Sequence, residues 1–366
     1  MSESTILTYT EIDREAWSRL VQTSRTGTWF QSPEAYELFA SLPEMFTPFA
    51  FGVVSKPESD SGQIIEATLR GVCVGYVTKE KSRLRQFFTR RAIILGGPCL
   101  AEDATDEEVT ALLSTLNDQL STLNSQLSTL NTPIYIEIRN FNDYSRWRGA
   151  IEAAGFSYQP HLNFHVDCTD KQKMWERLSD NRKRQIRKKP TPDPSLKGGE
   201  KEGKDVSEQD VREWYGILQE LYRTKVKTPL LPVEFFVQAY KQGVGQFLLI
   251  RHEGKIIGGS MVVKSSDAVY EWYECGMNAA YKEQYPSVMA TWAGMQYAHE
   301  QGCARYDMMG AGVPGVPYGV RDFKSEFGGT LVEHGRWLYV AKPWLYAIGK
   351  AGVEMLKNKI INLIRL

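Results

Sequence analysis
The stretch 306–329, YDMMGAGVPGVPYGVRDFKSEFGG, governs the reading of the whole chain. It opens as a strand end, Tyr306-Asp307-Met308-Met309. It then runs through Gly310, Gly312, Gly315 and Gly319, with Pro314 and Pro317 among them, and closes on Arg321, Phe323, Lys324, Phe327, Gly328 and Gly329. Glycines let backbone pass close to a ligand, and prolines stiffen such a loop. A cation beside two aromatics suits an anionic or carbonyl-bearing ligand. A long turn with a solvated Lys324 fits the same composition.

Working outward, 247–251, 255–264 and 268–276 read as strands, the first two joined by a hairpin turn at Glu253-Gly254. A helix over 287–302 and a strand over 305–309 lead into the loop. Upstream, 163–167 reads as a strand and 171–189 as one strongly basic helix. The segment 190–205, PTPDPSLKGGEKEGKD, cannot bury a core and reads as a mobile insert. Helices follow over 211–222 and 234–240.

In the first half, 12–20 and 34–42 read as helices, with Ser32 as the cap and Pro33 at the first position of the second. Strands are expected over 49–54, 64–69, 71–78, 92–95 and 134–139. Between them, 79–91 carries six basic residues, Lys79, Lys81, Arg83, Arg85, Arg90 and Arg91, opposed only by Glu80, a run that fits either a solvated face or a phosphate- or membrane-contacting one. The repeats LSTLNDQ, LSTLNSQ and LSTLNTP over 113–133 place Leu113, Leu116, Leu120, Leu123, Leu127 and Leu130 on one face of an amphipathic helix. A short helix is expected over 147–155. At the other end, 336–340 reads as a returning strand and 344–366 as an amphipathic helix, which packs on its own protein or lies on a bilayer.

A length of 366 residues fits two domains. The formal net charge is zero, so no global field draws the chain to nucleic acid, and DNA is not an expected partner. Cys73, Cys99, Cys168, Cys275 and Cys303 lack metal-ligand spacing and read as buried thiols, so no metal is expected. The opening MSESTILTYTEIDREAW has no apolar signal core and no stretch is long enough to span a bilayer, so the expected location is cytoplasmic, with peripheral contact at the inner membrane face through 344–366 as an option.

The pattern YD-x-x-G, a Gly/Pro-rich loop, then FK-x-x-FGG resembles the second domain of the FemABX-type aminoacyltransferases, which build peptidoglycan bridges within the GNAT acyltransferase superfamily. Trp175-x-x-Leu178 followed by Arg184-Gln185-Ile186-Arg187-Lys188 resembles that family's entry into the domain, and Phe30-Gln31-Ser32 resembles a step near its start. The resemblance implies an α/β (α+β) fold: a tandem of two GNAT-like domains, each a mixed, mostly antiparallel sheet flanked by helices. The expected boundaries are 1–160, 161–335 and a C-terminal strand and helix over 336–366 that pack back on the first domain. It implies an N-acyltransferase passing an aminoacyl or acyl group to an amine of a cell-envelope precursor such as a peptidoglycan peptide.

Acyl transfer to an amine requires two substrates held close, a proton acceptor and oxyanion stabilisation. The expected catalytic residues are Lys324 for the oxyanion or donor charge, and Asp307 or Glu274 for the amine proton; Asp307 also reads as a loop cap. Phe323, Tyr318, Arg321, Gly310 and Tyr285 are expected around the substrate. Trp29 and Gln31 line a cleft or belong to the core. Arg184, Arg223, Lys225 and Lys227 are candidates for an anionic ligand or an RNA acceptor end.

GNAT enzymes that use acyl-CoA cradle its pyrophosphate on a helix N-terminus, with the signature R/Q-x-x-G-x-G/A. The matching place, Lys282-Glu283-Gln284-Tyr285-Pro286-Ser287, has no glycine. No tightly bound cofactor is expected. Aminoacyl-tRNA is the expected donor, with acyl-CoA or acyl-carrier protein in polysaccharide or lipid modification as the alternative. A non-catalytic tandem GNAT protein that binds an envelope precursor is a third reading.

Overall fold
The computed structural model describes residues 4–55, 67–80, 82–122, 132–188, 206–227 and 229–352. The insert 190–205 and the end of the C-terminal helix fall outside the described residues. So do Leu123, Leu127 and Leu130 of the repeat. The chain divides into two compact units, Met1–Pro160 with His334–Leu366, and His161–Glu333.

The first unit runs β1 (Ser4–Thr8), α1 (Arg14–Thr23), α2 (Pro33–Ala40), β2 (Phe46–Ser55), β3 (Thr68–Thr78), α3 (Arg83–Thr89), β4 (Arg91–Gly96), β5 (Cys99–Leu100), α4 (Asp106–Thr122), β6 (Tyr135–Asn140), α5 (Arg148–Ala153) and β7 (Ser157–Gln159). The second runs β8 (Leu162–Asp167), α6 (Lys171–Glu176), α7 (Asp180–Arg187), α8 (Glu208–Leu221), α9 (Val233–Lys241), β9 (Gln246–His252), β10 (Lys255–Lys264), β11 (Ala268–Gly276), α10 (Pro286–Glu300), β12 (Arg305–Gly310), α11 (Gly319–Ser325) and β13 (Thr330–Glu333). The last strand, β14 (Arg336–Val340), returns to the first unit.

The first sheet is ordered β1-β2-β3-β4-β6-β14-β7, with β5 on β3; the second is β13-β8-β12-β11-β10-β9. Each is antiparallel apart from one central parallel pair, β4–β6 and β11–β12. Helices flank both sheets, which is the mixed α/β architecture expected. In the first unit Leu112, Leu113, Leu116 and Leu120 of α4 are fully buried in one core with Ile94, Ile136 and Ile138. In the second, Val288, Met289 and Trp292 of α10 pack with Phe164, Val166 and Val269.

Ser32 caps α2, its hydroxyl accepting from Ala35 N at 3.2 Å. The Glu253-Gly254 hairpin holds both residues at positive φ. All five cysteines are buried thiols.

Several elements depart from the sequence reading. The expected strands 64–69 and 71–78 form a single strand from Thr68 onward, residues 64–66 lying outside the described set. The expected helix 171–189 breaks at Ser179, which turns extended and caps α7 through Arg182 N at 3.2 Å. The basic connector 79–91 contains α3. Helix α4 starts earlier than the leucine repeat, where Asp106, Glu107 and Glu108 complement its dipole. Strands β1, β7 and β13 are short edge segments with little alternation and went unread.

Trp29 and Gln31 are core residues of the first unit rather than cleft residues. The Gln31 amide donates to Val74 O at 2.9 Å and Leu95 O at 2.7 Å and accepts from Val74 N at 2.7 Å. Its backbone oxygen takes the Trp17 indole N–H at 2.7 Å. The Gly96-Gly97 turn in the same unit admits no side chain: a Cβ on Gly97 would collide with the Tyr144 ring, whose hydroxyl lies 2.7 Å from Pro98 O.

Candidate active site in the second unit
In the second sheet β11 and β12 run parallel for three residue pairs, Ala268↔Arg305, Val269↔Tyr306 and Tyr270↔Asp307, and then separate. The corresponding pair of the first unit, β4–β6, stays joined from Arg91↔Tyr135 to Gly96↔Asn140. Beyond Tyr270 and Asp307, β11 and β12 therefore expose backbone and side chains to a gap. Two β-bulges arm its edges.

The first bulge lies in β12. Its register against β8 shifts between Asp307 and Gly310, with Met309 at φ 60°. The shift turns the carbonyls of Met308 and Gly310 toward Lys324 of α11. The buried Lys324 ammonium donates to both, to Gly310 O at 2.8 Å. An ammonium has three N–H groups, so one remains for a ligand. Burial pulls the Lys324 pKa down, while Glu271, Asp307 and Glu274 act to hold it up.

The second bulge lies in β11. Met261 faces Tyr273 but Val262 faces Glu271, so Trp272 is the extra residue. In a regular strand residues three apart point to opposite faces. The bulge brings Glu271 and Glu274 to one side, where both feel Lys324. Glu271 is buried and its Oε1 accepts from the hydroxyls of Thr291 at 3.0 Å and Tyr306 at 2.8 Å. Burial raises its pKa. Glu274 is partly exposed, with a buried Oε1 that has no hydrogen-bond partner. Burial, then the charge of Glu271, push it up to about 8, against the Ser287 hydroxyl and Lys324.

Asp307 has a different job. Fully buried, it accepts from Met309 N at 2.7 Å and lies 3.2 Å from His165 Nε2. Burial would raise its pKa, but His165, Arg305 and the Met309 N–H prevail and hold it low. It pins the bulge that presents the Met308 and Gly310 carbonyls, which matches the loop-cap reading rather than the base.

The other expected site residues divide. Arg321 is spent on the loop, its guanidinium donating to the carbonyls of Ala311 at 2.8 Å, Val316 at 3.1 Å and Val313 at 2.6 Å. Phe323 supports the buried Arg182 guanidinium, 4.5 Å from its ring. Tyr318 is exposed and precedes α11, a helix in what the sequence presented as loop. Tyr285 adopts φ 49° to start α10. Arg184 bonds Asn181 at 2.8 Å and borders a shallow basic cleft of about 350 Å³ with Lys183, Arg187 and Lys188. Arg223 pairs with Glu220 at 2.7 Å, and Lys227 ends the π turn Tyr222–Val226 that extends α8. Lys225 borders an open groove of about 470 Å³, with Ile217, Leu221, Lys255, Met277 and Asn278. The structure thus gathers Lys324, Glu274, Asp307 and Gly310, and leaves Arg184 on α7 and Arg223, Lys225 and Lys227 at the end of α8. Sequence reasoning missed Glu271, Tyr306, Thr291 and His165.

The first two backbone positions of α10 offer no free N–H. Pro286 has no N–H, and the Ser287 N–H already donates to Asn278 Oδ1 at 3.2 Å. The Asn278 amide in turn donates to Ser287 Oγ at 2.7 Å.

Residues 179–325 match the family model described as acetyltransferase (GNAT) domain. No curated protein matched the sequence. Among solved structures, FemX superposes with a TM-score of 0.64 at 13% identity, over 94% of this chain and 99% of that one. A tandem GNAT protein from the clavulanic acid biosynthesis pathway gives 0.51 at 9% identity, over 92% and 98%. The matched residues lie within the second unit. The chain as a whole has the fold seen in FemX, the tandem α/β arrangement that the FKxxFGG resemblance implied.

Proposed function
We propose that this protein is an N-acyltransferase that moves an aminoacyl group from aminoacyl-tRNA to an amine of a cell-envelope precursor such as a peptidoglycan peptide. The observation that carries the reading is the Lys324 ammonium, buried between two bulge carbonyls at the mouth of the β11–β12 gap, with Glu274 sharing its field. The acceptor nitrogen attacks the donor's ester carbonyl and forms a C–N bond. Lys324 steadies the oxyanion of the tetrahedral intermediate through its remaining N–H. Glu274 takes the nitrogen's proton. The C–O bond to the donor breaks, and that proton passes to the leaving oxygen. A carboxyl held near 8 is matched to a proton transfer close to neutral pH. Glu271, fixed by Tyr306 and Thr291, keeps Glu274 high and Lys324 charged.

The blocked start of α10 favours an RNA-borne donor over acyl-CoA, and the basic cleft on α7 offers it a phosphate contact. Calorimetry with acetyl-CoA and filter binding with charged tRNA at two salt concentrations test this. Charged tRNA should bind with an affinity that falls steeply with salt, and acetyl-CoA weakly or not at all. Micromolar CoA affinity with salt-insensitive or absent tRNA binding would replace this reading by the acyl-CoA one.

A further inference from the structure
We propose that the first unit carries a membrane-docking face, built from α3 and the helical turns 343–352, which seats on a bilayer containing anionic lipid. Three large apolar side chains are exposed there: Phe88 at 46%, Trp344 at 59% and Ile348 at 52%. Trp344 and Ile348 are four apart on one helix and so share its outer face, while Leu345 turns inward and is buried at 2%. Tyr346 anchors the same helix against Tyr135, ring centroids 5.5 Å apart. The two segments meet through Phe87, 6.2 Å from Trp344, and Phe87 packs edge-on to Phe88 at 5.0 Å. The aromatics therefore form one continuous surface.

The sequence of the two segments is one-sided in charge although the chain as a whole is neutral. Residues 82–91 and 341–352 contain Arg83, Arg85, Arg90, Arg91, Lys342 and Lys350 and not one Asp or Glu. Cations flanking exposed tryptophan, phenylalanine and isoleucine are the composition of an interfacial element: apolar side chains enter the headgroup boundary and the cations meet lipid phosphates. A polyanion such as RNA would use the cations but leave Ile348 and Phe88 in water. No described helix is long and apolar enough to cross a membrane.

The test is co-sedimentation of the full chain with phosphatidylcholine vesicles, with and without phosphatidylglycerol, at low and high salt. Binding should require phosphatidylglycerol and weaken with salt. Lys350→Glu should weaken it about fivefold or more, since one cation near an anionic surface contributes about that factor. The triple variant Phe88→Ser, Trp344→Ser, Ile348→Ser should abolish it without lowering the melting temperature, because these side chains are exposed. Absence of wild-type binding at low salt would overturn the proposal, as would undiminished binding by the triple variant. A wild-type dimer that the triple variant dissociates, with no vesicle binding, would assign the face to a second copy and overturn it equally.

Discussion

Glu274→Gln should make the protein more stable in alkaline buffer and leave it unchanged in acid. Burial and the neighbouring Glu271 lift this carboxyl to about 8 from 4.5. A carboxyl raised in the folded state binds a proton that the unfolded chain has lost between those two values. Stability therefore falls as pH climbs from about 4.5 to about 8, and the whole penalty stands above 8. At about 1.4 kcal/mol per pH unit the gap has an upper bound of about 5 kcal/mol. Solvent at the exposed part of the side chain cuts this to roughly 2–3 kcal/mol. Glutamine keeps the shape and carries no charge, so the penalty vanishes. For a unit of this size, 1 kcal/mol moves the melting temperature by about 2–4 °C. The variant should melt roughly 5–10 °C above wild type near pH 9 and within about 2 °C of it near pH 5, followed by circular dichroism. An equal gain at both pH values would trace the effect to packing. No gain near pH 9 would mean that Glu274 titrates as an ordinary carboxyl, and its place as proton acceptor would fall with it.

Lys324→Met should lower the transfer rate by about 10²-fold or more while the fold persists, and wild-type turnover in that variant would remove the lysine from the mechanism. In the wild type the pH–rate profile should rise through about 8 as Glu274 ionises and fall as Lys324 deprotonates below the ordinary lysine range; Glu274→Gln should lose the rising limb. Gln31→Leu should cost roughly 2–4 kcal/mol in urea unfolding, because Val74 N–H, Val74 O and Leu95 O lose their partner in the core. A loss below about 1 kcal/mol would show that the site relaxes around the change.

What the sequence made legible and what it hid differ by physical cause. The hairpin at Glu253-Gly254 is a local event, signalled by a glycine that tolerates positive φ between two apolar runs, and the structure has it there. Lys324 stood out because a short motif surrounds it. Glu271 did not, because strand alternation puts it on the face opposite Glu274, and only the bulge at Trp272, set by the register of pairing with β10, turns both toward the lysine. The same limit applies to cations. Arg182, Arg321 and Arg184 look alike in a sequence. The fold spends the first on two phenylalanine rings, the second on three loop carbonyls, and leaves the third at a surface cleft. Helix α11 was hidden by the glycines and prolines before it, which end at Gly319 where the helix begins.

The position of β14 has a consequence for synthesis. This strand lies between β6 and β7, yet the ribosome makes it only after all of residues 161–333. Until then the open edge of β6 has no neighbour, and β7, three residues long, has nothing to pair with. The nascent first unit thus waits with a bare strand edge, the feature by which sheets recruit wrong partners. A chain stopped at Glu333 would hold a finished second sheet and an unfinished first one. The part of the protein made first is therefore the last to be completed, and closing it means bringing together segments almost two hundred residues apart, such as Glu137 and Arg336 with 199 between their positions. Nonsense or frameshift changes late in the reading frame would for that reason damage the beginning of the molecule.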